Sequence, residues 1–148
     1  MQGIYDTNGV RFRFPKHWEL HEEHSENQLS ITVSSPGTSF WTLSLFFNPL
    51  QENELMETAL DAFREEYAEL DIYPVEETIC HRDSIARDLE FVSLELINSA
   101  FLRAFRTDHF TGLILYQGTD KELELTREQL EKISLSLECE GDELDFSE

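Results

Sequence analysis

Positive charge is what this sequence has least of. Eleven lysines and arginines stand against 31 aspartates and glutamates, a formal net charge of −20. Proteins that bind nucleic acid draw their affinity from neutralising phosphates, so this balance excludes nucleic acid and, for the same reason, anionic membrane. The acid excess has two readings: it keeps a cytoplasmic protein soluble, or its field steers in a basic protein partner. Cysteine is nearly as scarce. Cys80 and Cys139 are too few for the disulfide framework of a small secreted domain, and a cytosolic chain keeps its thiols reduced. Cys80, in an alternating apolar stretch, reads as a small core residue. Long hydrophobic runs are also missing. The most apolar stretch, from Trp41 to Leu50, is about half of the ~20 residues a membrane helix needs, and Asn48-Pro49 interrupts it. The opening from Met1 to Asp6 has neither the positive nor the long apolar region of a signal peptide, so the expected location is the cytoplasm. The six glycines (Gly3, Gly9, Gly37, Gly112, Gly118 and Gly141) never cluster into a phosphate-binding loop, and no G-x-S-x-G nucleophile turn occurs.

What is present describes a folded domain. The 148 residues are 40% hydrophobic with eleven phenylalanines, enough for one core without staples. Asn8-Gly9 is a type I′ hairpin signal, followed by Val10, Phe12 and Phe14 alternating with arginines until Pro15. Trp18 and Leu20 suggest a short strand, and His21 to Gln28 reads as a polar loop. Leu29, Ile31 and Val33 then alternate again. Phe40 to Phe47 is apolar or small on both sides, as expected of a strand covered on both faces at the sheet's centre. Asn48-Pro49 reads as a helix start, and Leu55 or Met56, Ala59, Leu60, Phe63, Tyr67 and Leu70 repeat at helical spacing before Pro74. Val75 to Cys80, Ile85 to Leu96, Ala100 to Arg106 and Phe110 to Tyr116 read as four strands of an antiparallel meander. The turns fall at Asp83-Ser84, Asn98-Ser99 and Asp108-His109. Thr126 with Gln129 forms a capping box ahead of Leu130, Ile133 and Leu137. The expectation is one α+β domain over residues 1–137, an antiparallel sheet of about six or seven strands with helices packed on it. Residues 138–148 are expected to form an acidic, disordered tail.

Chemistry-bearing clusters are few. His17, His21 and His24 lie near Glu19, Glu22 and Glu23, but no H-E-x-x-H or H-x-x-E-H spacing is present. Cys80 and His81 are adjacent, yet neighbours on a strand point to opposite faces and do not make a nucleophile–base pair. Glu65-Glu66 and Glu76-Glu77 are pairs that 31 acids produce by chance. Arg103 stands between Phe101 and Phe105, with Arg106 just beyond, and it has two readings. Either the rings are core under a helix and Arg103 pairs with an acid, or they form an open sheet face with the aromatic and arginine anchors that dominate protein interfaces. Trp41 and Phe47 belong to that surface or to the core. Trp41, Phe47, Phe101, Arg103, Phe105 and Arg106 are therefore the candidate partner-binding surface. No catalytic, cofactor-binding or metal-binding residue is assigned.

The run Phe12-Arg13-Phe14-Pro15-Lys16-His17-Trp18, the helix from Leu55 to Leu70, the meander from Ile85 to Tyr116 and the closing Ile133-Ser134-Leu135-Ser136-Leu137 together resemble the PsbP-like fold family. That family includes the extrinsic PsbP protein of photosystem II, a nuclear import factor that binds the Ran GTPase, and small bacterial proteins such as secretion-effector chaperones. The resemblance covers Gly9 to about Leu137. It implies an α/β/α sandwich with no shared catalytic apparatus, whose members mostly bind other proteins. The resulting expectation is a non-enzymatic, cytoplasmic, chaperone-like protein-binding module whose partner is a protein, basic or apolar at the contact. The alternative is a small-ligand or metal-binding protein with a pocket between sheet and helix, resting on the histidine cluster and the aromatic surplus.

Overall fold

The computed structural model describes residues 2–48 and 50–139; Met1, Pro49 and the acidic stretch 140–148 lie outside the described residues. The chain begins with a hairpin, β1 (Gln2–Thr7) and β2 (Val10–Pro15), turned at Asn8 and Gly9 with φ of 56° and 86°. Both residues are left-handed, as a type I′ turn requires and as this dipeptide signals. Then follow β3 (Glu19–Ser25), β4 (Gln28–Ser34), β5 (Phe40–Phe46), α1 (Glu52–Glu66) and β6 (Leu70–Val75). A two-residue pair of strands, β7 (Thr78–Ile79) and β8 (Arg82–Asp83), precedes β9 (Ile85–Ser93), β10 (Leu96–Arg106) and β11 (Thr111–Thr119). The helix α2 (Asp120–Ser136) leads into β12 (Glu138–Cys139), which pairs with β2.

Seven strands make one antiparallel sheet in the order β3-β4-β5-β11-β10-β9-β6. Its two faces bury different cores. On the first face Leu29, Ile31 and Val33, then Trp41, Leu43 and Leu45, then Phe101, Phe105, Ile114 and Tyr116 meet the N-terminal hairpin and α2 through Phe12, Leu123, Leu130 and Ile133. Phe12 lies 4.8 Å from the Trp41 ring, and Trp41 Nε1 donates to Ser134 Oγ at 2.9 Å, so the indole is satisfied inside the core. On the second face Ala100, Leu102 and Ala104 with Leu89 and Phe91 meet α1 through Met56 and Leu60. Met56 and Leu60 are thus the buried stripe of α1, with Phe63 and, just past the helix end, Tyr67 partly buried against the same core. Strand pairing also explains Gly112: a Cβ there would come within 2.6 Å of the Phe105 ring in the facing position of β10.

Several boundaries differ from the sequence reading. The polar stretch after Leu20 is not a loop. It is edge strand β3, whose backbone pairs with β4 while its side chains stay largely exposed. Charged edges of this kind resist pairing with another chain, and their polarity imitates a loop. Tyr5 Oη donates to Glu22 Oε2 at 2.7 Å, tying β1 to that edge. The helix α1 ends at Glu66, and Leu70 opens β6 instead of continuing the stripe. Pro74 sits inside β6, where the outermost position of the sheet tolerates its missing donor. The centre of the sheet is β11; β5 is third of seven, with Thr42 and Ser44 half-buried on its second face. The helix α2 starts at Asp120, six residues before the Thr126 box, because Thr119 Oγ1 accepts from Glu122 N at 3.2 Å and caps it first. The turn between β9 and β10 is at Leu94-Glu95, not Asn98-Ser99. Finally, Glu138 and Cys139 are strand and not tail; the rest of the expected tail, 140–148, lies outside the described residues.

Candidate functional site

The six residues expected to form one surface separate into two groups. Trp41, Phe101 and Phe105 are core, and Arg103 is 5% exposed. They lie on the first face, under α2 and the N-terminal hairpin, so a partner would have to lift that layer to reach them. The open-face reading of these four is corrected, because the layer that covers them is built from segments far away in sequence. Phe47 and Arg106 are exposed and come together at one end of the sheet, around a hollow of about 140 Å³ shared with His109 and Phe110.

Arg103 is held by acids. Its Nε donates to Glu77 Oε1 at 2.6 Å and its Nη1 to Asp88 Oδ1 at 2.9 Å, with the Leu102 and Arg87 carbonyls accepting as well. Burial works against the charged guanidinium, but the bonds to Glu77 and Asp88 outweigh it and the pKa rises further. Nearby, Phe101 stacks on Tyr116 at 4.7 Å and Arg127 lies over the Phe101 ring at 4.7 Å. Burial in this cluster drives the Tyr116 phenol upward, so it stays protonated. The cluster joins β10 to the segment before β7 and to α2.

A hydrogen-bonded knot around one carboxylate ties the β4–β5 loop to α2. The Glu122 carboxylate accepts from Thr38 N at 2.7 Å, Thr38 Oγ1 at 2.7 Å, Ser39 N at 2.6 Å and Ser39 Oγ at 2.8 Å. Burial, the largest single influence, disfavours its charge, yet these donors prevail and lower its pKa to about 2. Gly37 belongs to this arrangement, since a Cβ there would lie 2.6 Å from a Glu122 oxygen.

The histidine cluster diverges. His21 faces Thr32 and His24 faces Leu29 across the β3–β4 ladder, three positions apart, so the two side chains leave opposite faces of the sheet. They lie 3.6 Å from Glu19 and 3.8 Å from Glu22, respectively. Among the described residues no group of three or more histidine, cysteine or acidic side chains is placed to hold a metal ion. Cys80 and His81 occupy the turn between β7 and β8, both with positive φ.

The surface that sequence reasoning missed lies at the other end of the sheet from Phe47 and Arg106. Neither helix covers the whole of either face. On the first face the β6–β9–β10 corner is exposed, and the strand register sets its side chains in three rows. Tyr73 lies opposite Asp88, Asp71 opposite Glu90, and Val92 opposite Ile97. An acidic row is therefore flanked by an aromatic on one side and by branched aliphatics on the other. Tyr73, Val92 and Ile97 are about half exposed, and Asp71 and Glu90 are exposed. The charge of Asp71, followed by desolvation and the charge of Glu90, raises the Tyr73 pKa. Beside this corner runs a groove of about 420 Å³ lined by Glu69, Asp71, Glu90, Phe91, Val92 and Ile97 among others, with no basic residue in its wall.

The β9–β10 hairpin extends the patch. Its turn residues Leu94 and Glu95 have φ of 52° and 66°, and Leu94 is 92% exposed. Left-handed backbone is the province of glycine and asparagine, and an exposed leucine at the apex adds nothing to the core. The turn is thus costly both in backbone conformation and in apolar exposure. The signal in the sequence is the absence of glycine, asparagine, aspartate or proline from Val92-Ser93-Leu94-Glu95-Leu96-Ile97, with a leucine at the bend itself.

The fold defines the class of protein: an α+β sandwich of one antiparallel sheet with a helix on each face. Among solved structures it is similar to LpqN of Mycobacterium tuberculosis, a protein involved in cell envelope biogenesis, with a TM-score of 0.59 and 10% identity over 93% of this chain and 90% of that one. At that identity the likeness is one of fold. No protein-family model and no curated protein matches the sequence. No helix among the described residues is long and apolar enough to cross a membrane.

Proposed function

We propose that this chain is a non-enzymatic, cytoplasmic protein-binding module of the PsbP-like family. It takes a basic, apolar segment of a partner, in chaperone-like fashion, on the exposed β6–β9–β10 corner. The observation that carries the reading is the pattern there: Tyr73, Val92, Ile97 and Leu94 exposed together around Asp71 and Glu90. Scattered exposed hydrophobics need no explanation, but a contiguous set at one corner does. The acidic row supplies the complement for lysine or arginine, and the flanking rows supply apolar contact; a segment alternating basic and apolar residues meets both. Pro74 takes a donor away from the β6 edge, which favours docking on the face over addition of a strand. The net charge of −20 acts in the same direction at long range. The resemblance to a family of protein binders agrees with this reading.

Fluorescence anisotropy with labelled peptides alternating lysine and leucine, beside a glutamate–leucine control, tests it. The basic peptide is expected to bind and to weaken several-fold between low and high salt, and Ile97→Ser with Tyr73→Ala is expected to abolish binding without changing the melting temperature. Equal binding of both peptides, or binding that ignores the two substitutions, would refute the assignment of this corner.

A further inference from the structure

Cys80 and Cys139 are 59 positions apart in sequence, and the fold brings their sulfurs to 3.0 Å. Each is delivered by a separate device. Cys80 occupies the β7–β8 turn beside His81, with φ of 52° and 64°, a left-handed pair that two such side chains adopt only at a cost. Cys80 Sγ also donates to the Leu137 carbonyl at 3.4 Å, so it points at the segment that carries its counterpart. Cys139 is fixed by the β12–β2 pairing, opposite Val10, and is buried. The corner is the rim of the larger core, where Ile79, Leu137 and Cys139 close it and Cys80 packs against them.

We propose that Cys80 and Cys139 are a disulfide-forming pair that clamps the C-terminal strand β12 to the β7–β8 turn. The bond brings the sulfurs to about 2.05 Å, a closure of about 1 Å that side-chain torsions supply. The oxidant is a low-molecular-weight disulfide. Cys80, the more exposed of the two, loses its proton to solvent and attacks one sulfur of that reagent, expelling a thiolate and leaving a mixed disulfide. Cys139, deprotonated in turn, attacks the Cys80 sulfur and expels the second thiolate. Two protein thiols are oxidised, one external disulfide is reduced to two thiols, and no other reactant is needed. The clamp does not depend on the partner-binding reading. It joins β12, and through β12 the N-terminal hairpin, to the segment whose Glu77 holds Arg103.

The test uses the full chain treated with glutathione disulfide or with dithiothreitol, then denatured and blocked with N-ethylmaleimide. After oxidation the intact mass is expected to fall by two hydrogens with no maleimide added. A non-reduced digest is expected to contain a peptide linking Cys80 to Cys139, and the melting temperature to rise by roughly 10 °C, as closing a loop of this length implies. Cys80→Ser is expected to keep the reduced protein's melting temperature under both treatments. Two separate glutathione adducts, two maleimide adducts, or a link that leaves the melting temperature unchanged would overturn the proposal.

Discussion

Arg103 shows how a single buried charge organises its surroundings. Its side chain is 6% exposed, whereas the Glu77 and Asp88 side chains that hold it are 31% and 27% exposed. The three are therefore not equivalent under substitution. Arg103→Met removes the buried charge and leaves two carboxylates that water can still reach, so no fully buried charge is left uncompensated and the expected cost is about 1 kcal/mol. The double change Glu77→Gln with Asp88→Asn strands the guanidinium inside and is expected to cost about 3 kcal/mol; urea unfolding of the two variants decides the order. Glu122 gives a pH dependence. Its folded pKa of about 2 lies below the ordinary value of 4.5, so its contribution is complete above about pH 5 and is lost as the pH falls toward 2. For a carboxylate that remains partly solvated, about 1 kcal/mol is expected, and Glu122→Gln is expected to flatten that part of the stability–pH curve. At this scale the sequence was only half legible. Arg103 between two phenylalanines stands out by composition alone, but strand alternation says that they share a face and not what covers it. The covering layer and the two acids come from 15 to nearly 100 positions away.

Elements were legible wherever a local pattern carried them. The Asn8-Gly9 hairpin, the strands of Leu29 to Val33 and Phe40 to Phe46, and the α1 stripe follow from turn chemistry and period. The edge strand β3 was not, since it has no apolar face to bury and exists because β4 offers it a backbone ladder. The start of α2 was misplaced because two threonines seven residues apart can each cap a helix, and the earlier one wins. Thr119→Ala is expected to destabilise the fold by about 1 kcal/mol, more than Thr126→Ala does, by thermal or denaturant melting. The β9–β10 turn yields the sharpest prediction for an element. Replacing Leu94-Glu95 with Asn-Gly relieves two left-handed residues and is expected to raise stability by about 1 kcal/mol or more, while weakening the basic peptide's binding. A gain in stability with binding intact would mean that the exposed leucine plays no part in recognition.

On the scale of the whole molecule, the two helices cover staggered parts of a seven-stranded sheet and leave corners of both faces exposed. One is hydroxyl-lined, where Ser30 meets Ser44 and Thr32 meets Thr42 across β4 and β5 in side-chain hydrogen bonds, as a solvated face does. The other carries the acidic and apolar rows of β6, β9 and β10. Composition foretold the acid excess and the aromatic core, but the choice of corner depends on strand order and helix placement, which no local pattern encodes. The most direct test of the binding account is affinity capture of the full chain from its native extract at low and high salt, with wild type beside the Tyr73→Ala, Ile97→Ser variant. The account predicts a reproducible basic protein that is retained at low salt, released at high salt and absent from the variant's eluate. A partner captured equally by both forms, or none captured by wild type, would contradict it.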